Sequence, residues 1–280
     1  MRLSVHKTLK MYVGGSFIRS ESGRTVGLTN AAGEHMNVPL ASRKDFRNAM
    51  EKARPAQGGW AARTAYNRGQ ILYRLAEMLE GRASTLPAAG EDTQKAIDRA
   101  VHYAGWTDKI TAILSSLNPV GMAYVNYSMV RPLGVTLSIP NPADGLLGMV
   151  EALCASLVMG NATILMVSTE TAEIAVALTE CLATSDMPAG VVNVLTGDIH
   201  EVLKVASRHD DLDGIYIAET VLNQEQRVDC EVEAARVMRR FMFVPGAAQP
   251  ARPSDLVQLA EVQTVWMSSM GNMPGGGSAY

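Results

Sequence analysis

Gly160-Asn161, Met187-Pro188-Ala189-Gly190-Val191-Val192-Asn193-Val194-Leu195-Thr196-Gly197 and His209-Asp210-Asp211-Leu212-Asp213-Gly214-Ile215 are the stretches whose reading decides the fold. Each sets a turn or polar loop directly before a short apolar run. With their surroundings they give apolar strands at 135–139, 163–167, 191–195 and 212–217, separated by helical segments at 146–159, 172–183 and 200–207. Strands alternating with helices make βαβ units, hence a parallel, doubly wound sheet with right-handed crossovers and helices on both faces. The expected fold class is α/β with a Rossmann-like core.

Toward the N-terminus, Gly14-Gly15 between Met11-Tyr12-Val13 and Ser16-Phe17-Ile18 is a two-residue hairpin signal. Residues 42–52 have a polar start and put Phe46, Met50 and Ala53 on one helical side. A second helix is expected to open at Trp60 and carry Ile71, Leu72, Leu75, Met78 and Leu79 to Arg82. A long helix over 91–117 should end near Asn118-Pro119, because the residue before proline avoids the helical region. Residues 124–130 read as an extended strand or hairpin, and 200–207 closes the last clear helix. Beyond Glu219 the alternation is expected to fail: 224–243 is a charged stretch compatible with a helix, 245–253 is linker-like, and 257–267 is apolar again. Pro274-Gly275-Gly276-Gly277 lacks the flanking strand and helix of a phosphate loop and reads as flexible tail.

A chain of 280 residues, 47% hydrophobic, can bury a full core. Its net charge of -3 gives no footprint for nucleic acid or an anionic membrane, and Lys and Arg look scattered. Three cysteines at unrelated spacings suggest reduced thiols, with no disulfide framework and no zinc spacing. No signal-type apolar segment opens the chain, and no apolar run reaches the ~18 residues of a membrane span. The expectation is a soluble cytoplasmic protein without a bound metal.

The quoted blocks, in this order and near this spacing, resemble the aldehyde dehydrogenase superfamily. Further likeness lies in Tyr12-Val13-Gly14-Gly15, Gly58-Gly59-Trp60, and Arg68 with Ile71-Leu72, Leu75-Ala76 and Leu79-Glu80. Asp98-Arg99-Ala100-Val101-His102-Tyr103-Ala104-Gly105-Trp106 is similar to a branch in which two such modules occur as a pair. Ala260-Glu261-Val262-Gln263-Thr264-Val265-Trp266 resembles the family's C-terminal oligomerisation strand. The resemblance implies a truncated, degenerate member that lacks the catalytic domain. It divides the chain into an N-terminal helical part (1–119), oligomerisation strands (120–133), a Rossmann-like core (134–220), a remnant or linker (221–255), a C-terminal oligomerisation strand (256–270) and a tail (271–280).

In the family a lysine clamps the cofactor's ribose, a glycine-serine pair lies against the pyrophosphate, and an asparagine stabilises the oxyanion. Counting from the quoted blocks, those positions are Met166, Glu219-Thr220 and Ala143, although a two-residue gap would restore Asn141 to the last. Methionine cannot donate to a hydroxyl, and a carboxylate facing a pyrophosphate repels it. NAD binding is therefore expected to be lost. The family's nucleophilic cysteine and general-base glutamate belong to segments the resemblance does not reach, so no catalytic residue is assigned.

The remaining candidates favour structural readings. Cys154 reads as a core thiol and Cys181 as a packing residue whose pKa Glu180 would raise; Cys230 is the one candidate for exposure. His209-Asp210-Asp211 reads as a solvated turn, and His200 and His209 do not share the helical spacing of a zinc pair. Asn193 and Gly197 are expected to serve backbone geometry. Tyr124, Val130, Val262, Val265 and Trp266 carry an interface expectation, because unpaired strand edges need covering. The function expected is a structural or regulatory subunit, partnered by a full-length aldehyde dehydrogenase or by itself. The alternatives are a nucleotide-binding module, and an NAD(P)-dependent aldehyde oxidoreductase with residual or shared-site activity.

Overall fold

The computed structural model describes residues 6–121 and 124–268. The glycine-rich stretch 274–277 and the expected tail lie outside them. The chain opens with β1 (Lys7–Thr8), β2 (Met11–Val13), β3 (Ser16–Ile18), β4 (Thr25–Thr29) and β5 (His35–Pro39), followed by α1 (Arg43–Ala61), α2 (Ala65–Gly81), α3 (Gly90–Trp106) and α4 (Ile110–Leu114). The strands β6 (Ser116–Asn118) and β7 (Tyr124–Pro132) come next. The core then alternates through β8 (Val135–Ile139), α5 (Gly145–Val158), β9 (Ala162–Val167), α6 (Ala172–Leu182), β10 (Val192–Thr196), α7 (Ile199–Ala206), β11 (Gly214–Ala218), α8 (Gln224–Arg236) and β12 (Arg240–Val244). A short α9 (Pro253–Leu256) leads into β13 (Ala260–Ser268).

The main sheet has the order β12-β11-β8-β9-β10-β2-β3. Strands β8 to β12 run parallel, and the β2–β3 hairpin turning at Gly14-Gly15 adds two antiparallel strands beside β10. From β8 the connections run one way to β9 and β10 and the other way to β11 and β12. The switch point therefore lies between β8 and β11, where open α/β sheets hold their ligands beyond the strands' carboxyl ends. One face packs α5 with α2, α3 and α6; the other packs α1 and α7 against Leu137, Ile164, Met166 and Ile217.

Three sequence expectations need correction. Trp60 does not open a helix: it sits in the last turn of α1, which runs on through Pro55. A mid-helix proline costs about 3 kcal/mol, but fully buried Phe46, Ala49, Met50, Ala53 and Trp60 hold the helix on the sheet, and Trp60 Nε1 donates to Leu157 O at 3.1 Å. The long helix over 91–117 stops at Trp106, and 116–118 instead form β6, where Asn118 Nδ2 donates to Ser128 Oγ at 2.9 Å. Residues 25–39 contribute β4 and β5 of a small separate sheet, which the sequence reading passed over.

The largest correction concerns 221–255. The alternation does not fail at Glu219, since α8 and β12 form one more βα unit, with β12 in full parallel register beside β11. Asn223 caps α8 through a capping box with Gln226. Buried Arg239 explains the docking of this unit. Its guanidinium donates to the carbonyls of Leu212 (2.6 Å), Ser207 (2.6 Å), Ala206 and His209, and so satisfies the C-terminus of α7. Residues 245–259 then join β12 to β13, and no further domain intervenes.

Candidate functional site

The family-like blocks gather at the amino ends of the parallel strands, where they act as backbone locks. Asn161, fully buried, accepts from Gly134 N at 2.9 Å and donates to Leu259 O at 2.8 Å, tying β8, β9 and the approach to β13 together. Gly160 before it has φ +85°, and a Cβ there would lie 2.8 Å from Pro132 Cγ. Asp213 accepts from Val135 N at 2.6 Å and pairs with Arg54 at 2.7 Å, so β11 is latched to the start of β8. Asn193 accepts from Gly14 N and donates to Gly190 O, both at 2.8 Å, holding the hairpin on β10 in agreement with its expected backbone role. Gly190 has φ +86°, and its absent Cβ would sit 2.5 Å from Lys52 O.

The carboxyl ends look different. After β8, Asn141 caps a short turn by accepting from Ala143 N at 3.2 Å, and Ala143 itself faces solvent. The N-terminus of α5 would be the natural seat for an anion. It is already filled by Asp92 of α3, which accepts from Leu146 N at 2.9 Å and Leu147 N at 3.2 Å. Met166 is fully buried inside β9, paired with Leu195. Glu219 and Thr220 are exposed in the turn after β11. These four positions do not converge on one cavity.

The segment 245–252 crosses the switch point as a strap. Its anchor is a buried polar cluster in which Arg99 pairs with Glu151, and Tyr103 Oη donates to Glu151 at 2.7 Å. Arg99 also donates to Ala247 O at 3.0 Å, Ala251 N donates to Glu151 at 3.0 Å, and Ala247 N donates to Asp144 at 2.8 Å. Burial, then the neighbouring Glu151 charge, raises the pKa of Tyr103, so its hydroxyl keeps its proton. Beneath the strap, the gap lined by Pro140, Asn141, Gly148, Ala218, Val244 and Gly246 measures about 10 Å³, roughly one water probe. A larger cavity of about 470 Å³ adjoins this gap, sharing Asp144, Glu151, Tyr216, Val244, Gly246 and Ala247 with it. Sequence reasoning missed this cluster because its members are separated by up to 150 positions of chain.

A second cleft of about 300 Å³ lies between α7 and α8, lined by His200, Leu203, Ser207, Gln226 and Cys230 among others, and not by Met166, Glu219 or Thr220. The expectation that Cys230 is exposed is corrected: it packs beneath α8, and burial, followed by Asp229, Glu231 and Glu233, pushes its pKa up to about 11. Burial also takes Cys181 up to about 11 and raises Cys154. None of the three is a ready thiolate. In the turn expected to be solvated, Asp210 pairs with Arg236 and Asp211 with Arg54, while His209 is half-buried edge-on to Phe46. Among the described residues, no group of three or more His, Cys, Asp or Glu gathers as metal ligands, and no helix is long and apolar enough to cross a membrane.

The third sheet, β13-β7-β6, is separate from the main sheet, with Ala260 in the core and Val130 packed against it. Cross-strand register pairs Asn126 with Trp266 and Val130 with Val262, so directly opposed side chains share a face. Tyr124, Val130, Val262 and Trp266 are thereby brought to one face, and Val265, opposite Tyr127, to the other. Trp266 is 63% exposed, Val262 55% and Tyr124 54%, with Trp266 and Tyr124 in edge-to-face contact at 6.3 Å. Among the described residues, β13 pairs on one side only.

The Aldehyde dehydrogenase family profile matches residues 17–218. The chain belongs to the aldehyde dehydrogenase family. It is 30% identical over 225 residues to the putative aldehyde dehydrogenase DhaS of Bacillus subtilis (strain 168), covering 74% of this chain and 45% of that protein. It is 25% identical over 288 residues to an alpha-ketoglutaric semialdehyde dehydrogenase of the same organism, covering 92% of this chain and 56% of that protein. The NAD+ complex of a Bacillus cereus aldehyde dehydrogenase superposes with a TM-score of 0.77 at 23% identity, over 85% of this chain and 50% of that one. The chain thus spans about half the length of the relatives it matches. The shared fold accounts for the Rossmann-like core, and the locks at Asn161, Asn193 and Asp213 are how this aldehyde dehydrogenase-like chain maintains it.

Proposed function

We propose that this chain is a non-catalytic aldehyde dehydrogenase-like subunit, structural or regulatory, that docks through its β6–β7–β13 sheet onto a full-length aldehyde dehydrogenase or a second copy of itself. The observation that carries this reading is the strap over the switch point. Where an α/β sheet of this kind would hold a ligand, Arg99, Glu151 and Asp144 instead hold the backbone of the strap. The replacements at Met166, Glu219, Thr220 and Ala143 and the absence of an accessible low-pKa thiol support the same reading. The docking half rests on β13, an edge strand with Trp266 and Val262 exposed, since such edges invite pairing with another chain. The three free thiols suit a reducing, cytoplasmic setting.

Sedimentation of the purified assembly tests this reading. Trp266→Asp should dissociate it while leaving the helical content of the chain intact, and an unchanged assembly mass would overturn the docking surface. The α7–α8 cleft, at about 300 Å³, favours a second reading as a nucleotide-binding module. Calorimetric titration with NAD, NADP, adenosine and coenzyme A separates the two, because submillimolar binding that Val232→Trp in the cleft lining abolishes would move the function to that cleft.

A further inference from the structure

The sequence scatters its cations, but the fold collects them. Arg43, Lys44 and Arg47 on α1, Lys204 on α7 and Arg208 in the turn after it line one cavity of about 590 Å³ with Val205 and His209, and no carboxylate belongs to the lining. The expectation of scattered Lys and Arg is therefore corrected. Lys44 pairs with Glu21, Arg47 with Glu51 at 3.4 Å and Arg208 with Glu233 at 3.1 Å. The side chains of Arg43 and Lys204 have no ion-pair partner among the described residues, and the buried His209 Nδ1 has no hydrogen-bond partner there. Arg43 with Arg47 is a like-charge pair at i,i+4, an arrangement that destabilises a helix in isolation. Lys44, Arg47 and Arg208 are each paired with a carboxylate, so the uncompensated positive charge lining the open space is that of Arg43 and Lys204.

We propose that this α1–α7 cavity binds a small, multiply charged phosphorylated ligand. The size decides the class: about 590 Å³ lies within the range of small-molecule sites, roughly 300–1,000 Å³. The chemistry agrees, because guanidinium groups donate in the paired geometry that phosphate oxygens accept, and lysine adds point charge. The cavity is separate from the switch point and opens on the α1 side of α7. Lys204 and Arg208 also border the α7–α8 cleft, whereas Arg43, Lys44 and Arg47 border only this cavity, so the α1 residues carry the test.

Isothermal titration of the full chain with inorganic pyrophosphate should give saturable one-to-one binding that weakens as salt is raised. Arg43→Glu/Arg47→Glu should weaken it at least about tenfold, the effect of losing roughly one charge-assisted contact. Arg74→Glu, an exposed cation on α2, should leave it unchanged. Circular dichroism and thermal melting of each variant establish that it is folded. As a guard, the milder Arg43→Gln/Arg47→Gln should also weaken binding. No saturable binding by the wild-type chain, or equal affinity in the folded α1 variants, would overturn the proposal.

Discussion

The two ends of the parallel strands obey different rules. At the amino ends, Asn161 and Asn193 spend their side-chain amides on backbone groups, and Asp213 accepts from Val135 N while pairing with Arg54. At the carboxyl ends, where the family places its chemistry, Met166 lies in the core, Glu219 and Thr220 face water, Asp92 caps α5 and the strap crosses above. Residues that hold the backbone can persist when the ligand site does not, because folding needs them whatever the chain binds. The contrast teaches that recognisable family blocks report on the scaffold, and that the opposite edge must be read for function.

Breaking the strap's anchor should have the largest effect. Glu151→Ala leaves Arg99 buried without its partner, and should cost about 3–5 kcal/mol in denaturant unfolding. It should also raise proteolytic sensitivity at 245–252 before global unfolding. Asn161→Ala comes next, at roughly 2–4 kcal/mol, because it strands the buried Gly134 N–H and Leu259 C=O. A loss under 1 kcal/mol there would erase the distinction between the two ends. The paired Glu219→Gly and Thr220→Ser changes should move stability by no more than about 0.5 kcal/mol, as exposed positions do. They should also leave NAD binding unmeasurable by calorimetry, since Met166 and the strap remain. Tight NAD binding in that variant would show that Met166 and the strap do not exclude the cofactor.

The smallest expected effect is on pH dependence. Burial lowers the pKa of His209 and of His102, the latter with help from the Arg99 charge, below the usual value near 6.5. In each case the unfolded chain takes up protons more readily than the folded one. The stabilising contribution is therefore complete above about pH 6.5 and falls as pH drops through the depressed folded values. Chemical denaturation between pH 7.5 and pH 5 should show this slope, and His102→Gln/His209→Gln should flatten it.

Much of the fold was legible because its signals are local. Apolar runs at β8, β9, β10 and β11, the Gly14-Gly15 turn and the buried helix α5 each declare themselves within a few residues. Illegible parts depended on distance. The unit α8–β12 looked like a remnant because α8 is charged on most sides, and its place in the sheet rests on Arg239 reaching carbonyls of α7 and the following loop. The split of 91–117 was hidden because helix periodicity persists into a segment that β7 captures as a strand. Of the site, the positions proposed as replaced could be located by counting, but the strap's anchor could not. It needs Arg99, Tyr103, Glu151 and Ala247 together, and only packing brings them there.

The central claim is that this chain acts by docking through its third sheet. Native mass spectrometry of the tagged protein, purified at low salt from its own cells, tests it most directly. The account predicts a defined complex with a full-length aldehyde dehydrogenase, or a second copy of this chain, that Trp266→Asp dissolves. A wild-type monomer would contradict it.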